Sequence, residues 1–237
     1  MFPLEFLNQI AGSVSSGYRE EGYYPEAVIN FLALLGWHAT GDQEMYTMPE
    51  LIEQFSLERV SKSGAKFDYE KGKWFNHQYL QLRSNEELAE QFMPYLEKAI
   101  GDGQLVIDKA KVAKVIGLTK DRVNFVSELW DQVNFFFVAP TEFDEKSLKK
   151  RWKEDSPKHM TEMLTLLEAH DDWSAEGLDN LVMRWIAEKE YGVGIVMNAF
   201  RICLVGAARG PHIWNITDVL GKEETLRRVR TALEKLG

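Results

Sequence analysis

Apolar residues recur along most of the chain at the three- and four-residue spacing of an amphipathic helix. The clearest run starts at Pro25, which suits a first helical position because its fixed φ and missing N–H donor do no harm there. Gly36 is a natural stop at the other end. Four apolar residues between them share one face: Val28, Phe31, Leu32 and Leu35. The pattern predicts a helix that ends just before Trp37.

Local capping chemistry predicts where other helices begin. Thr47 with Glu50 and Ser84 with Glu87 have the spacing of capping boxes, each ahead of an apolar run. Asp68 is expected to be the N-cap of a helix. That helix has three aromatic residues as its expected packing face: Trp74, Phe75 and Tyr79.

The same spacing, interrupted by Gly, Pro, Asp and Ser, predicts an all-α fold. Helices are expected at 69–81, 107–116, 119–137, 145–152, 157–170, 175–191, 195–205 and 222–236. Strand-like alternation is scarce, and its only weak candidates lie between Met1 and Tyr18. No repeat with a period of about 20 to 50 residues is present, which argues against a helical solenoid.

Composition narrows the class of partner. The chain has 237 residues, of which 45% are apolar and 27% charged, and its net charge is −9. Such an acidic balance argues against a protein that coats nucleic acid indiscriminately, because those proteins carry a basic stripe that neutralises phosphates. It leaves room for a reader of unpaired RNA bases, which are recognised largely by stacking and hydrogen bonds.

The sequence does not support several other classes of protein. The single cysteine, Cys203, allows no internal disulfide and is expected to be a small buried hydrophobe. The five histidines share no ligand spacing, so no metal site and no catalytic triad are predicted. Neither an apolar run of about 20 residues nor a signal peptide is visible, so a cytoplasmic chain with no membrane partner is expected.

Three segments carry a family resemblance. They are YREEGYYPEAVINFLALLGW at Tyr18–Trp37, RVSKSGAKFDYEKGKWFNHQY at Arg59–Tyr79, and FRICLVGAARGPHIWNITDVLG at Phe200–Gly221. Together they resemble bacterial glutamyl-tRNA synthetase over nearly the whole chain. The RVSKS stretch resembles a conformational SKS-like element of the stem-contact region in that family, rather than the ATP-gripping KMSKS loop of its active site.

The resemblance implies a domain organisation. A stem-contact region over residues 1–82 would precede a two-part helical anticodon-binding cage over 83–142 and 143–237. Family members place a catalytic domain ahead of these motifs, with a HIGH-like and a KMSKS-like ATP-binding signature. Neither signature occurs here, so no catalytic residue and no cofactor are expected in this chain. ATP and Mg²⁺ would belong to the parent enzyme, and the partners would be tRNA(Glu), through its anticodon loop and stem, and the missing catalytic domain.

Arg122 is the first candidate base reader that the resemblance implies. It follows GLTKD, where an arginine of the family helix entering the cage reads a cytosine at the third anticodon position. A guanidinium suits that base because it offers a rigid fork of donors to the cytosine acceptors. The alternative is an exposed arginine paired with Asp121 or Glu128.

Phe200–Gly206 is similar to the family motif P-x-R-x-A-L-T-G, with Arg201 as its arginine. An arginine within an apolar helix needs a partner, so Arg201 is expected to face either a carboxylate or RNA. The loop that follows resembles the family loop that holds anticodon bases. Its expected contact residues are Gly210, Pro211 and Ile213, with Arg209 as an additional candidate for a base or phosphate and His212 for stacking.

One residue of the loop departs from the family pattern, and a second family motif adds two candidate contact residues. Gly210 stands where the family often has a hydroxyl residue, so only a backbone hydrogen bond remains at that position. Trp74 and Asn76 match the family W-x-N and are candidates for contact with the inner corner of the tRNA, but core packing is the favoured role for Trp74 because tryptophan is usually well buried.

Other basic residues have a simpler explanation. A cluster at 149–153, together with Arg227 and Arg228, has the spacing of surface ion pairs on helices. The competing interpretation of the whole chain is a helical protein-interaction domain that has drifted from a synthetase and no longer binds RNA.

Overall fold

The computed structural model describes residues 6–8, 13–39, 41–62, 64, 66–101 and 107–237. Most of these residues are helical, which confirms the predicted all-α class. Short strands also occur where they were expected: β1 (Phe6–Asn8) pairs antiparallel with β2 (Ser13–Ser15), and Leu7 lies opposite Val14.

The helices follow in chain order. They are α1 (Tyr18–Glu21), α2 (Pro25–Gly36), α3 (Met48–Gln54), α4 (Tyr69–Gln81), α5 (Asn85–Ile100), α6 (Lys109–Gly117), α7 (Leu129–Phe137), α8 (Glu145–Arg151), α9 (Ser156–Glu168), α10 (Ala175–Glu188), α11 (Val193–Val205) and α12 (Ile213–Leu236). Short 3₁₀ turns lie at Leu57–Arg59, Lys120–Arg122 and Val126–Glu128. In the part of the chain that the structure describes, no helix is long and apolar enough to cross a membrane.

The described residues form two compact units. Unit 1 contains those within Met1–Asp102 together with Lys120–Trp130, and unit 2 contains those within Gly103–Thr119 together with Asp131–Gly237. The three functional regions expected from the sequence, 1–82, 83–142 and 143–237, stay a prediction.

Unit 1 is built on the packing of α2 against α4. Ala27 and Phe31 of α2 meet Phe75 and Tyr79 of α4 in one buried cluster. A second cluster joins three residues at the end of α2 and the start of α3: Trp37, Tyr46 and Leu51. The predicted apolar face of α2 is only partly covered, since Phe31 is buried but Leu32 is 46% exposed.

The capping predictions for unit 1 are confirmed. The Glu50 N–H donates to Thr47 Oγ1 at 3.4 Å, and the Thr47 N–H donates to the Glu50 carboxylate at 2.7 Å. Ser84 and Glu87 exchange the same two bonds at 3.1 and 2.9 Å. Asp68 accepts from the backbone N–H of Glu70 at 3.0 Å.

The single helix predicted over 119–137 is wrong, because the chain forms two 3₁₀ turns before α7 begins at Leu129. The Glu128 carboxylate accepts from the N–H groups of Asn124 and Phe125 at 2.7 and 3.2 Å. These two N–H groups therefore do not donate to the backbone carbonyls that a continuous helix would use. Val123 and Phe125 are both buried, which is the alternation of an extended segment rather than of a helix.

Unit 2 has its core among α9, α11 and α12. Its largest buried side chains include Met160, Met163, Phe200 and Trp214. The predicted burial of Cys203 is confirmed, and that burial raises the pKa of its thiol above the ordinary range. Residues 213–220 were not predicted to be helical, yet they form the first part of α12, before a kink at Gly221 (φ 78°, ψ 169°).

The prediction that Arg228 lies on the surface of unit 2 is wrong. It was expected in a surface ion pair, but its side chain is only 3% exposed. Arg228 Nη1 donates to the carbonyl oxygens of Phe135 and Leu204 at 2.6 and 2.7 Å. These carbonyls lie in the last turns of α7 and α11, so one guanidinium satisfies the ends of two helices. Arg227 does form the expected surface pair, with Glu224 at 2.7 Å.

Candidate nucleic-acid interface

In unit 1, Asn76 lies at the junction between α4 and the segment that carries Arg122. Its side chain is 0% exposed. Asn76 Oδ1 accepts from the Tyr24 N–H at 2.7 Å, and Nδ2 donates to the Asn124 carbonyl at 2.6 Å. Both ends of the amide are therefore committed within the protein.

Trp74, two residues earlier on α4, behaves in the opposite way. It is 39% exposed, so the core-packing interpretation that was favoured for it does not describe its environment. The ring packs edge-on against Phe75, with centroids 4.9 Å apart. Part of the tryptophan ring thus faces solvent on α4, where a base could stack on it.

Arg122 closes the 3₁₀ turn Lys120–Arg122 and is exposed. Its Nε lies 3.9 Å from Asp121 Oδ1, with 39% of the arginine side chain and 73% of the aspartate exposed. A pair of this length and exposure is worth little. Glu128, the other carboxylate considered as a partner, is committed to backbone N–H groups.

The turn that carries Arg122 is fixed along α4. Gln81 Nε2 donates to the Lys120 carbonyl at 2.7 Å, and His77 Nδ1 lies 2.8 Å from the Val123 carbonyl. Lys120 Nζ donates in return to the Arg83 carbonyl at 3.1 Å. Arg122 therefore projects from a backbone with little freedom.

In unit 2, Arg201 binds the loop that follows its own helix. Its Nη1 donates to the carbonyl oxygens of Arg209 and Pro211 at 3.2 and 2.7 Å. From the sequence, this guanidinium was expected to face a carboxylate or RNA. A third possibility, backbone carbonyls of the adjoining loop, is what these two bonds represent.

Two glycines give the loop its shape. Gly206 ends α11 at φ 79°, where a Cβ would lie 2.8 Å from Pro140 Cβ. Gly210 has φ 106°, and a Cβ there would lie 3.2 Å from Phe135 Cζ. The structure thus gives a physical reason for the absence of a hydroxyl side chain at position 210, since an L-residue would be strained in that conformation.

Arg209 lies back against α7. Its guanidinium donates to the carbonyl of Asp131 and, at 3.1 Å, to Asn134 Oδ1. The same group lies 5.7 Å from the centroid of the Phe135 ring. No motif in the sequence indicated Asp131, Asn134 or Phe135 as the seat of this loop, because the pairing joins residues about 75 positions apart.

A third set of contacts fixes the start of the loop. The Asp144 N–H donates to the Gly206 carbonyl at 2.8 Å, and the Ala208 N–H donates to Ser147 Oγ at 3.0 Å. Hydrogen bonds from the hydroxyl and the N–H of Ser147 hold the pKa of Asp144 below its ordinary value. The loop at 206–212 is thus held by Arg201, by α7 and by the start of α8.

The remaining predicted contact residues differ in accessibility. The Ile213 side chain is 3% exposed and Pro211 is buried, so as packed here Ile213 offers no side-chain surface to a ligand. His212, at the N-cap of α12, is exposed. No group of three or more potential metal-ligating His, Cys, Asp or Glu residues occurs among the residues placed by the structure.

Two family models match the chain. The anticodon binding domain matches residues 87–233. The catalytic domain of class I tRNA synthetases (E and Q) matches residues 10–74, so part of the predicted stem-contact region falls within that family's model.

Similar proteins cover the chain from end to end. Glutamate–tRNA ligases of Phocaeicola vulgatus and Bacteroides thetaiotaomicron are each 57% identical over 236 residues. A crystal structure of a glutamate tRNA ligase from Elizabethkingia meningosepticum, in complex with its amino acid, is 40% identical with a TM-score of 0.91. The match covers 100% of this chain but 46% of each of these three proteins.

The helical fold, the loop at 206–212 and the match over 87–233 place the chain in the anticodon-binding domain family of class I aminoacyl-tRNA synthetases. Within that class, the similar proteins named above are glutamate–tRNA ligases, of which the chain spans a little under half the length.

Proposed function

We propose that the chain binds tRNA(Glu) and reads its anticodon loop on behalf of a glutamate–tRNA ligase. The observation that carries this proposal is the loop at 206–212, held in one shape by hydrogen bonds that Arg201 and Arg209 donate and one that Ser147 Oγ accepts. A preformed loop avoids the entropy cost of ordering on binding. It can therefore offer its backbone groups to unstacked bases, which is how single-stranded RNA is read.

Arg122 is proposed to read the third anticodon base. Its pairing with Asp121, at 3.9 Å and largely exposed, can be exchanged for a base at little cost. The rigid turn beneath it fixes the direction from which the guanidinium approaches. Directed donors of this kind discriminate between bases, whereas a loosely held charge does not.

Trp74 is proposed to contact the tRNA outside the anticodon, at the inner corner. Its exposed ring on α4 supports this role. Asn76 is assigned a different one, because contact with tRNA would break two buried hydrogen bonds. We propose that Asn76 holds α4 and the Asn124 segment together, and that it acts on tRNA only through them.

The second partner is proposed to be the catalytic domain of a glutamate–tRNA ligase. The chain spans 46% of its relatives, and the class I catalytic model matches residues 10–74 of unit 1. Three large apolar side chains of unit 1 are more than 70% exposed: Ile52, Leu57 and Leu82. A neighbouring domain would cover them. That domain would bind ATP and Mg²⁺ and attach glutamate to the tRNA, in the cytoplasm where tRNA is charged.

The net charge of −9 fits selective recognition. An acidic surface repels RNA that offers no matching bases, so affinity would depend on base contacts more than on phosphates. Weak binding to a noncognate stem-loop is expected, with a strong response of that weak binding to salt.

The test is a fluorescence titration of the 237-residue chain with three RNA stem-loops at two salt concentrations. One carries the tRNA(Glu) anticodon, one has its third base changed from cytosine to guanine, and one has an unrelated anticodon. Preference for the first stem-loop at both salt concentrations supports the proposal. Equal binding of all three, or none, would instead favour a helical interaction domain that no longer reads RNA.

A further inference from the structure

His77, on α4, uses only one of its two ring nitrogens within the protein. Its Nδ1 lies 2.8 Å from the carbonyl oxygen of Val123. A carbonyl oxygen can only accept, so Nδ1 must carry the proton, and in a neutral imidazole the other nitrogen is then an acceptor. The contact with Val123 therefore sets Nε2 as the nitrogen that can accept a further hydrogen bond.

The Nε2 atom of His77 lies at the surface of unit 1. It has no hydrogen-bond partner among the residues that the structure describes, and it is not among their buried unpaired atoms. His159 Nδ1 and His170 Nε2, by contrast, are both buried and unpaired. His77 as a whole is half-buried. An acceptor held at a fixed position on the surface is available to a donor from outside the chain.

The position of His77 puts this acceptor between two residues that are proposed to contact tRNA. Trp74 precedes it by three residues on α4, the spacing of side chains that share a helix face, and is 39% exposed. Arg122 is exposed and directly precedes Val123, whose carbonyl holds His77. A tRNA that contacts both Trp74 and Arg122 therefore brings part of its backbone past His77.

We propose that His77 Nε2 accepts a hydrogen bond from a ribose 2′-hydroxyl of the bound tRNA. This inference rests on the proposed function and adds a contact residue with its ligand chemistry. Phosphate oxygens are acceptors, so they cannot pair with an acceptor nitrogen. The amino groups of bases in a stem are engaged in base pairs, whereas every ribose of RNA presents a hydroxyl that can donate. His77 thus distinguishes RNA from DNA at one nucleotide.

His77→Asn separates the RNA contact from the support of Val123. The asparagine amide nitrogen can take the place of Nδ1 and donate to the Val123 carbonyl, but the shorter side chain has no atom where Nε2 was. His77→Ala removes both groups. His38→Asn is the matched control, because His38 is an exposed histidine of the same unit.

Melting temperatures check the fold of these variants. His77→Asn and His38→Asn should melt as the wild type does. His77→Ala should melt at a lower temperature, because it leaves the carbonyl of the buried Val123 without its partner.

The ligands for the binding test are tRNA(Glu) transcripts. One is all-ribose, and each of the others carries a single 2′-deoxynucleotide in the anticodon stem-loop or the inner corner. For the wild-type chain, one such substitution should weaken binding about three- to ten-fold, the loss expected for one hydrogen bond. His77→Asn should bind the all-ribose tRNA more weakly by a similar factor and should lose nothing further at that nucleotide. His38→Asn should reproduce the wild-type pattern.

Three results would overturn the inference while leaving the proposed function intact. Wild-type affinity of His77→Asn for the all-ribose tRNA would show that His77 only supports Val123. Weaker binding by His77→Asn with every deoxynucleotide penalty unchanged would mean that the ring contacts a base instead of a ribose. The absence of any sensitive nucleotide in the wild-type series would exclude the contact without reliance on a variant. Failure of the wild-type chain to bind tRNA(Glu) at all would instead remove the proposed function itself.

Discussion

Arg228 and Glu224, one turn apart on α12, form an ion pair at 2.7 Å in which the arginine is 3% exposed. The same guanidinium donates to the carbonyls of Phe135 and Leu204, so it ties the last turns of α7 and α11 to α12. Arg227, its sequence neighbour, pairs with the same glutamate from a surface position that is 54% exposed. The two arginines therefore allow a buried and an exposed ion pair with the same carboxylate to be compared.

Arg228→Met should destabilise the chain by about 2 to 6 kcal/mol, because it leaves two buried carbonyls without a partner, at about 1 to 3 kcal/mol each. Arg227→Ala should cost under about 1 kcal/mol, as expected for an exposed pair. Urea denaturation of the wild type and both variants measures these losses. Similar losses for the two variants would show that the buried carbonyl bonds are not what stabilises this junction.

The pH dependence of stability should reflect Glu224. Burial acts to raise the pKa of this carboxyl, but hydrogen bonds from Arg227 and Arg228 outweigh it and hold the pKa below the ordinary value of 4.5. A carboxyl with a depressed folded-state pKa contributes stability above its unfolded pKa and loses it as the pH falls through the folded value. Hence the contribution should be complete above about pH 4.5 and decline at lower pH.

Glu224→Gln supplies the comparison for that experiment. Denaturation curves of wild type and variant, measured from pH 7 to pH 3, should lie apart at neutral pH and converge on acidification. A separation that stays constant across this range would mean that Glu224 does not titrate with folding.

Substitutions of Trp74 and Asn76 should have different effects, the first on tRNA binding and the second on the stability of the fold. Trp74→Ala should weaken binding of full-length tRNA(Glu) by about 1 to 3 kcal/mol, the value of one stacked aromatic, with little change in melting temperature. Asn76→Ala leaves the Tyr24 N–H and the Asn124 carbonyl without partners, at about 1 to 3 kcal/mol for each. Its main effect should therefore be on stability.

The measurement pairs tRNA titration with thermal unfolding for both variants. An anticodon stem-loop without the rest of the tRNA serves as the control ligand, and Trp74→Ala should bind it as the wild type does. Unchanged affinity of Trp74→Ala for the whole tRNA would exclude this ring from the interface.

Arg122→Gln should change base preference rather than only affinity. Binding of the stem-loop that ends in cytosine should weaken by about 1 to 3 kcal/mol more than binding of the one that ends in guanine. Arg184→Gln is the matched control, since Arg184 also pairs with a carboxylate at 3.9 Å on an exposed surface. Titrations at two salt concentrations distinguish a base contact from bulk charge, because bulk charge would give equal losses for both stem-loops and a shallower salt dependence.

The sequence by itself determined the helical class and many helix starts. Asp68, and the pairs of Thr47 with Glu50 and Ser84 with Glu87, act over two or three residues, so their geometry follows from spacing alone. The family motifs likewise placed the residues of the loop at 206–212 in one segment. Contacts between neighbours in the chain are the part of a fold that a local pattern can predict.

Tertiary structure decided which polar side chains serve the fold and which face solvent. Nothing in the neighbouring sequence indicates that Asn76 and Arg228 are buried. Their partners Asn124 and Phe135 lie 48 and 93 residues away in the chain. The exposure of Trp74 depends on what packs beside α4, not on its type. The break before α7 and the inward carbonyls that Arg201 holds arise in the same way, because a buried donor or acceptor takes whatever partner the assembled fold brings within reach.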